Sequence, residues 1–267
     1  MDLKINFGSN VDAGSIAIRI DSSAVIMQHA EEIIASFNRL GLALLEFRAD
    51  ESAEEQLLAL RGIFGDIKNH DRSNQAGIAE IKVSDKFPGY LGTSNEAHPF
   101  HTDGSYENNP PAVFALRCGE PAKEGGLTQV VSGKALHDWL ARKDSAALAA
   151  LYQPSALLVE RAGKSATKAV FLLKDGRVRM SFRSDATAQF AKDPDTQRAV
   201  SLIVSFLQDR NNVLEFKMRK GQIIVIDNGA ILHGRTAFPA NDPREMQRLF
   251  FSGSSGANQK LVLGFSA

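Results

Sequence analysis

Cysteine is almost absent from this chain of 267 residues, in which Cys118 is the only one. A single cysteine excludes an internal disulfide, and with it the disulfide-stabilised folds of small secreted proteins. The first residues show no basic segment followed by an apolar stretch, so the sequence predicts no signal peptide. No apolar run approaches the roughly 20 residues that a membrane span requires. These absences lead us to expect a soluble, cytoplasmic protein.

An excess of charge of either sign is missing too. Lys plus Arg number 31 and Asp plus Glu number 31, so the formal net charge is zero. Bulk charge therefore does not draw the chain to nucleic acid or to an anionic membrane, and basic runs interleaved with aromatic residues are absent. We expect a small-molecule substrate, with no nucleic-acid and no membrane partner. The sequence leaves the oligomeric state open.

Internal repeats and low-complexity linkers are not found either. The length and the hydrophobic share of 43% suit one large domain that buries a substantial core. We therefore expect a single domain over residues 1–267, with a core of strands over roughly 40–267 and N-terminal helical elements packed outside it.

The hydrophobic pattern predicts many short strands and a few helices. Helical spacing covers residues 23–39, 51–64, 132–143 and 195–208, and Ser132 is placed to cap the third helix. Strand-like runs cover 42–45, 113–118, 128–131, 169–173, 178–182, 222–226 and 248–252. The two kinds of element do not alternate regularly, and no Gly-x-Gly-x-x-Gly motif opens a helix, which argues against a parallel Rossmann-type sheet. The pattern favours a mainly β, double-sheet architecture with flanking helices.

The most informative residues are His101 and Asp103, in the run Phe100-His101-Thr102-Asp103-Gly104. On a β-strand, residues i and i+2 point to the same face, so an imidazole nitrogen and a carboxylate oxygen would converge on one cation. These are two ligands of a 2-His-1-carboxylate facial triad, the geometry that leaves positions open on iron(II). A lone His-x-Asp is common by chance, so the assignment needs a third, distant ligand.

His233 is the best candidate for the third ligand, because it alone among six histidines follows a strand-like run and a turn. It lies 130 residues after Asp103, a separation that requires a sheet folding back on itself, as in a jelly roll. His29 and His137 lie in helical segments and are expected to be packing or surface residues. His98 is out of the i, i+2 register with Asp103, so we assign it at most a place lining the site.

Residues beyond these three carry a resemblance to a known family. Arg244 follows His233 by eleven residues, and a Gly-Gly-x-Thr stretch ends at Thr128. Together with the His-x-Asp motif, these features resemble the taurine dioxygenase and clavaminate synthase-like family. The run His-Gly-Arg-Thr-Ala-Phe that begins at His233 resembles the γ-butyrobetaine hydroxylase branch of it. The resemblance extends from about Gly92 to Gly253 and implies a double-stranded β-helix (jelly-roll) core.

The resemblance also implies where a cosubstrate would bind. In that family an Arg at this spacing pairs with the distal carboxylate of 2-oxoglutarate, and the Thr hydroxyl hydrogen-bonds the same carboxylate. We therefore expect Arg244 and Thr128 to bind 2-oxoglutarate, since two parallel guanidinium donors suit a planar carboxylate better than an ammonium does. Arg248 lies four residues after Arg244 and would face the same cavity on a regular strand, so the two arginines could exchange roles.

The implied chemistry is that of an oxygenase that uses Fe(II), 2-oxoglutarate and O2. Such an enzyme hydroxylates an unactivated C–H bond and releases succinate and CO2, with iron held here by His101, Asp103 and His233. In halogenases of this kind a small residue replaces the carboxylate ligand, so Asp103 argues against halogenation. Desaturation and cyclisation with the same cofactors stay open.

Candidate substrate-binding residues lie near the predicted metal ligands. The odd-numbered residues of 179–183 share one face of a strand, and we expect Arg183, together with Arg248, to bind a substrate carboxylate. Asn95 and Glu96 lie on the loop before the metal motif and would meet an amine or a hydroxyl. This set predicts a small polar carboxylic acid or an amino-acid-derived substrate.

Two other classes of protein fit part of the pattern. A zinc hydrolase would use the same three ligands to activate water, but it gives no role to Arg244 or Thr128. A non-catalytic jelly roll that binds a small molecule would not need an intact set of metal ligands.

Overall fold

The computed structural model describes residues 12–48, 50–84, 90–254 and 260–267 of the chain. Within these ranges the backbone forms fifteen β-strands and six α-helices. The helices are α1 (Ala30–Leu40), α2 (Ala53–Ala59), α3 (Arg61–Phe64), α4 (Gly133–Lys143), α5 (Ser145–Ala150) and α6 (Pro194–Gln208). The strands are β1 (Ala17–Ile20), β2 (Leu42–Phe47), β3 (Ala79–Lys82), β4 (His98–His101), β5 (Val113–Glu120), β6 (Thr128–Ser132), β7 (Leu157–Arg161), β8 (Lys164–Lys168), β9 (Phe171–Lys174), β10 (Arg177–Met180), β11 (Ala188–Phe190), β12 (Leu214–Phe216), β13 (Gln222–Asp227), β14 (Ile231–Arg235) and β15 (Glu245–Phe251).

Six strands form the larger sheet, in the order β1-β2-β13-β5-β15-β3. Only β1 and β2 pair in parallel, and the other neighbours are antiparallel. Every residue of β13 is buried, because both faces of the sheet are covered. Ile224 and Ile226 point into the core between the sheets, whereas Ile223 and Val225 point into the core beneath the N-terminal helices. This double burial explains why the strand reads as a continuous apolar run.

Four strands form the smaller sheet, in the order β12-β6-β14-β4, and all of its pairs are antiparallel. In the pair of β14 with β4, His233 lies directly opposite His101. The register shifts between His233 and Arg235, where Arg235 faces His98. This sheet therefore brings two histidines together from segments that are far apart in the sequence.

The two sheets enclose the main core, and helices lie outside. Phe114 of the larger sheet and Leu232 of the smaller sheet belong to this inner core. The helices α1 to α3 pack Phe37 and Phe64 against the outer face of the larger sheet. The helices α4, α5 and α6 pack against one another beside β6 and β11. The mainly β, jelly-roll architecture with flanking helices is thus confirmed.

Two further small sheets lie in the segment between β6 and β12. One pairs β10 with β9, and the other has the order β11-β7-β8. The isolated bridge between Val178 of β10 and Phe265 ties the C-terminal residues to this segment. None of the helices in the described part of the chain combines the length and the hydropathy that crossing a bilayer requires.

Most predicted elements are found, with displaced ends. Residues 23–39 form a 3-10 segment, Ser23–His29, followed by α1, and residues 51–64 are divided into α2 and α3. The runs predicted at 169–173, 178–182 and 248–252 correspond to β9, β10 and β15. Ser132 caps α4 as predicted, since its Oγ accepts a hydrogen bond from Ala135 N at 3.2 Å. The larger sheet begins before residue 40, because β1 belongs to it.

Candidate metal centre

Three side chains with metal-binding atoms meet between the sheets, and we call His101, Asp103 and His233 the triad. Each offers one ligand atom, and these atoms lie within 4.8 Å of one another. Antiparallel pairing sets the two histidines opposite each other, with ring centroids 4.2 Å apart. In the ranges that the structure describes, no other three such side chains are close enough to hold an ion.

Asp103 reaches the site from a turn and not, as we predicted, from the same strand as His101. The strand β4 ends at His101, and Thr102 N donates a hydrogen bond to Phe182 O at 2.8 Å. Gly104 follows with a φ of 67°, a conformation that favours glycine because it has no Cβ. The residues that we expected to meet do meet, but the turn after β4 aims the carboxylate.

Asn228 fixes this turn, and the sequence analysis did not assign it a role. It is 2% exposed, and its Oδ1 accepts a hydrogen bond from Asp103 N at 2.8 Å. Its Nδ2 donates to Pro111 O at 2.8 Å as well as to Asp103 O. The sequence did contain a signal for this role. Asn228 is a carboxamide between two apolar strands, and a buried polar side chain must find hydrogen-bond partners.

The hydrogen bonds of the imidazoles favour metal binding. His101 Nδ1 lies 2.9 Å from Pro99 O, and a carbonyl can only accept, so Nδ1 carries the proton and Nε2 has a free lone pair. His101 Nε2 lies 3.6 Å from Asp103 Oδ1, and His233 Nε2 lies 3.9 Å from Asp103 Oδ2. Two imidazole nitrogens and one carboxylate oxygen are a donor set for a divalent transition metal with open positions.

The protonation states of Asp103 and His233 also favour metal binding. Burial raises the pKa of Asp103, but the Arg248 guanidinium and the two histidines outweigh it and hold that pKa well below its ordinary value. Burial, together with the neighbouring His101, lowers the pKa of His233 well below its ordinary value. A charged carboxylate and a neutral imidazole are the forms that bind a metal ion.

A cavity of about 70 Å³ adjoins the triad and is also lined by Thr128, Arg244 and Arg248. Arg244 is 4% exposed, and its guanidinium carbon lies 5.3 Å from the centre of the Phe238 ring. Burial lowers the pKa of Arg244 to about 10. Within the described residues Arg244 forms no ion pair, and its Nε has no hydrogen-bond partner. A buried guanidinium without a counterion is costly, so this cavity suits an anionic ligand.

Steric contacts explain the two glycines of the Gly-Gly-x-Thr stretch. A Cβ on Gly126 would lie 3.2 Å from Arg244 Cδ and 3.3 Å from its Nε. A Cβ on Gly125 would lie 2.1 Å from Ala237 O, which no side chain tolerates. The two glycines therefore let the segment before Thr128 pass directly over the buried arginine and the chain after β14.

Arg248 lies against the carboxylate of the triad. Its Nη1 donates hydrogen bonds to both carboxylate oxygens of Asp103, at 3.1 and 3.0 Å, and its guanidinium carbon lies 4.3 Å from the Phe250 ring centre. The two arginines thus share the cavity, as expected, but differ in their partners. Arg248 is paired with a triad carboxylate, whereas Arg244 is the one available to another anion.

The other substrate-binding candidates are placed differently. Arg183 is 2% exposed and forms an ion pair with Asp185, with Nε donating to Oδ2 at 2.8 Å. It lies beside His101 through an isolated bridge, but outside the lining of the cavity. Asn95 donates to Phe238 O at 3.1 Å and Glu96 is exposed, and neither lines the cavity. The structure therefore does not gather these three residues around the triad cavity.

Two residues that line the cavity were assigned only minor roles in the sequence analysis. His98 lines it, as we allowed, and its ring stacks on that of His101 with centroids 3.9 Å apart. Arg235, from the His-Gly-Arg run, is 6% exposed and donates to the carbonyl oxygens of Ser94, at 3.0 Å, and Glu96. Arg235 therefore holds the loop that precedes the metal motif.

Fold and site together define a double-sheet protein in which two histidines and an aspartate that could hold a metal ion meet beside a cavity lined by buried arginines. The family model of the taurine catabolism dioxygenases, the TauD, TfdA family, matches residues 10–250. The chain therefore belongs to this family.

Two curated proteins are distant relatives of this chain in sequence. The chain is 26% identical over 182 residues to a uridine-5'-phosphate dioxygenase of Streptomyces sp, covering 62% of this chain and 65% of that protein. It is 25% identical over 235 residues to the gamma-butyrobetaine dioxygenase of Homo sapiens, covering 80% of this chain and 57% of that protein. The matched region thus spans less than two thirds of the length of either relative.

Solved structures show the same fold. An asparagine oxygenase in complex with Fe(II), 2S,3S-3-hydroxyasparagine and succinate superposes with a TM-score of 0.69 at 16% identity, covering 86% of this chain and 80% of that one. The non-heme iron oxygenase OrfP in complex with Fe and alpha-ketoglutaric acid superposes with a TM-score of 0.65 at 14% identity, covering 90% and 85%. At these identities the likeness concerns the fold.

Proposed function

We propose that this chain is a non-haem Fe(II)- and 2-oxoglutarate-dependent oxygenase. One observation carries the proposal: three metal-binding side chains converge within 4.8 Å beside a cavity that holds the buried Arg244 guanidinium without a carboxylate partner in the described residues. A metal ion and a dianionic cosubstrate together account for both features. A zinc hydrolase accounts only for the first, and a non-catalytic binding protein explains neither the neutral His233 nor the charged Asp103.

In this proposal His101, Asp103 and His233 hold the iron. The metal, when bound with 2-oxoglutarate and O2, supplies the oxidising chemistry that no amino-acid side chain provides. The chain contributes ligand orientation: the bond of His101 to Pro99 O fixes one imidazole, and Asn228 fixes the main chain of Asp103. His101 and Asp103 are buried between the sheets, which limits the access of water to them.

Arg244 and Thr128 bind the distal carboxylate of 2-oxoglutarate in this proposal. Both are buried, both line the triad cavity, and Arg244 has no competing ion pair among the described residues. A guanidinium can present two parallel donors to a carboxylate, and the Thr hydroxyl adds a third. Arg248, which is bound to Asp103, is the weaker candidate for this role and the stronger one for contact with a substrate near the metal.

For the substrate we propose a small polar carboxylic acid or an amino-acid derivative, hydroxylated at an unactivated C–H bond. The supporting comparison is with structural neighbours bound to hydroxyasparagine and to (3S)-hydroxy-L-Arg. Arg248 is the contact that the geometry supports best, whereas Arg183, Asn95 and Glu96 would need the substrate to extend beyond the described cavity. Desaturation or cyclisation would use the same residues. We place the reaction in the cytoplasm, which the localisation of a tagged chain would test.

The test is a succinate assay with Fe(II), 2-oxoglutarate and air, run against a panel of amino acids and small carboxylic acids. We expect succinate to form only with both cofactors, to rise with the true substrate, and to be absent in Asp103→Ala. The exposed Asp209→Ala variant is a matched control and should keep full activity. Metal-dependent hydrolysis of a panel member without 2-oxoglutarate would instead favour the zinc hydrolase.

A further inference from the structure

A second cavity, of about 810 Å³, lies next to the turn that carries Asp103. It shares no lining residue with the triad cavity. Its walls include the loop 108–112 that follows the metal motif, parts of β9 and β10, and the turn 227–229 that contains Asn228. A volume of this size lies within the roughly 300–1,000 Å³ of small-molecule sites. The proposed oxygenase reaction gives this second cavity no role.

The lining of the second cavity is rich in positive charge. Four cationic side chains border it, Lys68, Lys168, Lys174 and Arg179. One carboxylate borders it as well, that of Asp227, whose oxygens accept hydrogen bonds from Gly229 N at 3.0 Å and Gly264 N at 2.8 Å. Because four cations face one carboxylate that is already hydrogen-bonded, the lining favours an anion.

Two of the cations converge on one loop. Lys68 Nζ lies 3.1 Å from Glu107 Oε2, and Lys168 Nζ donates a hydrogen bond to Glu107 O at 2.6 Å. Only Lys68 is thus paired with a carboxylate, since Lys168 bonds the main-chain carbonyl oxygen of Glu107. Burial lowers the pKa of Lys168 to about 8. A bound oxyanion would stabilise both ammonium groups in their charged form.

Arg179 faces the same cavity from β10. Its stem packs closely against glycines, since a Cβ on Gly229 would lie 3.4 Å from Arg179 Cβ. Its Nη2 lies 3.7 Å from Asp175 Oδ2, too far for a strong hydrogen bond, and its buried Nε has no partner among the described residues. A buried donor of this kind is satisfied when an acceptor is bound in the cavity.

Apolar side chains complete the walls. Leu172, Met180, Leu263 and the pair Pro110-Pro111 border the cavity. Leu172 is 54% exposed, which is high for a large hydrophobic side chain, so part of this apolar surface has no cover within the described chain. The cavity thus joins an apolar wall to a set of cations.

We propose that this cavity is a second ligand site, for a small amphipathic oxyanion that has a carboxylate, sulfonate or phosphate at one end and an apolar or aromatic body. The oxyanion is bound by Lys168 and Arg179, and the body packs on Leu172 and Met180. The site shares no lining residue with the triad cavity, so its occupant does not compete with 2-oxoglutarate.

The probe for a test is anilinonaphthalene sulfonate, which joins a sulfonate to an aromatic body and fluoresces in apolar surroundings. The protein is first saturated with Zn(II) and 2-oxoglutarate, so that the triad cavity is filled. We expect a single probe molecule to bind per chain, with an affinity that further 2-oxoglutarate does not change. Absence of saturable binding, or displacement by 2-oxoglutarate, would overturn the proposal.

Two substitutions locate the probe. Arg179→Met and Lys168→Met keep the aliphatic stems and remove the charges, and each should weaken binding about tenfold, the effect of losing one charge-assisted hydrogen bond. Arg142→Met, an exposed residue of α4, is the matched control and should bind the probe as the wild type does. If either variant fails to fold, the exposed Lys174→Met tests the same lining. Unchanged affinity in all folded cavity variants would show that the probe lies elsewhere and would refute the site.

Discussion

Asn228 holds Asp103 by both sides of its backbone: Oδ1 accepts a hydrogen bond from Asp103 N at 2.8 Å, and Nδ2 donates to Asp103 O at 2.9 Å. Asp103 needs this support because β4 ends at His101, so Asp103 lies outside the sheet. Asn228 itself lies in the turn between β13 and β14, five residues before His233. One carboxamide therefore fixes the segments that carry all three proposed metal ligands relative to one another.

The Asn228→Asp variant tests this relationship. The substitution preserves shape and the acceptor for Asp103 N, but it places a carboxylate against the carbonyl oxygens of Asp103 and Pro111. We expect the affinity for Fe(II) to fall about tenfold to a hundredfold, as is typical when the support of a metal ligand is removed. Anaerobic titration with Fe(II) measures the change. The exposed Asn211→Asp is the control, and equal affinities in both variants would show that Asn228 does not position the ligand.

The second prediction concerns the cosubstrate. Arg244→Lys should raise the KM for 2-oxoglutarate about tenfold to a hundredfold, because one charge-assisted hydrogen bond, worth about 1.5–3 kcal/mol, is lost. Steady-state kinetics with 2-oxoglutarate as the varied component measure it. Arg248→Lys should leave that KM nearly unchanged and impair the coupling of succinate formation to substrate oxidation.

The opposite pattern would reverse the two assignments. A large 2-oxoglutarate defect in Arg248→Lys, with none in Arg244→Lys, would place the cosubstrate on Arg248. No defect in either variant would count against 2-oxoglutarate as the cosubstrate altogether.

The third prediction separates structure from binding at Arg183. Burial raises the pKa of Asp185, but hydrogen bonds from Arg183 and Thr187 lower it to about 2, so the carboxylate is charged. Asp185→Asn would leave Arg183, which is 2% exposed, without its ion-pair partner and should cost about 3 kcal/mol of unfolding free energy. Denaturant unfolding measures this. In the wild type the contribution is complete above the ordinary pKa of 3.8 and is lost as the pH falls through about 2.

Substrate kinetics complete that experiment. If Arg183 only supports the strand next to His101, the folded Asp185→Asn protein keeps its KM for substrate. If Arg183 binds the substrate carboxylate, releasing it from Asp185 changes that KM, and the original expectation for Arg183 is restored.

The fourth prediction concerns Cys118. It is fully buried in β5, and burial raises the pKa of its thiol to about 11. The thiolate is the reactive form, so the folded protein should resist labelling by a disulfide reagent at pH 8. Cys118→Ser should keep its activity, since no role in the site falls to this side chain. Rapid labelling of the native protein, or a folded but inactive variant, would contradict the assignment.

The sequence predicts the part of the site that depends on residue type and spacing. The metal-ligand candidates could be chosen from the sequence, because few patterns bring two imidazoles and a carboxylate together in a double-sheet fold. They are His101, Asp103 and His233. Arg244 and Thr128 could be added only through the resemblance, since nothing in their local pattern distinguishes a buried cation from a solvated one. Their burial beside the triad depends on the glycines at 125 and 126, which only the folded contacts reveal.

The rest of the site depends on tertiary pairing that a single sequence does not encode locally. The turn that carries Asp103 exists because Thr102 bonds to Phe182, which is 80 residues away. Arg183 was expected in the cavity from strand alternation, but β10 ends at Met180 and Asp185 takes up the charge. The strands β1 and β3 at the edges of the larger sheet, with four residues each, were not predicted.

The most direct test of the account is an anaerobic titration with Fe(II) and 2-oxoglutarate, followed by visible absorption. The account predicts a charge-transfer band in the wild type that saturates with both components and disappears in the folded His101→Ala, Asp103→Ala and His233→Ala variants. A wild-type protein that binds Fe(II) but gives no band with 2-oxoglutarate would contradict it, as would a His233→Ala variant that keeps the full band.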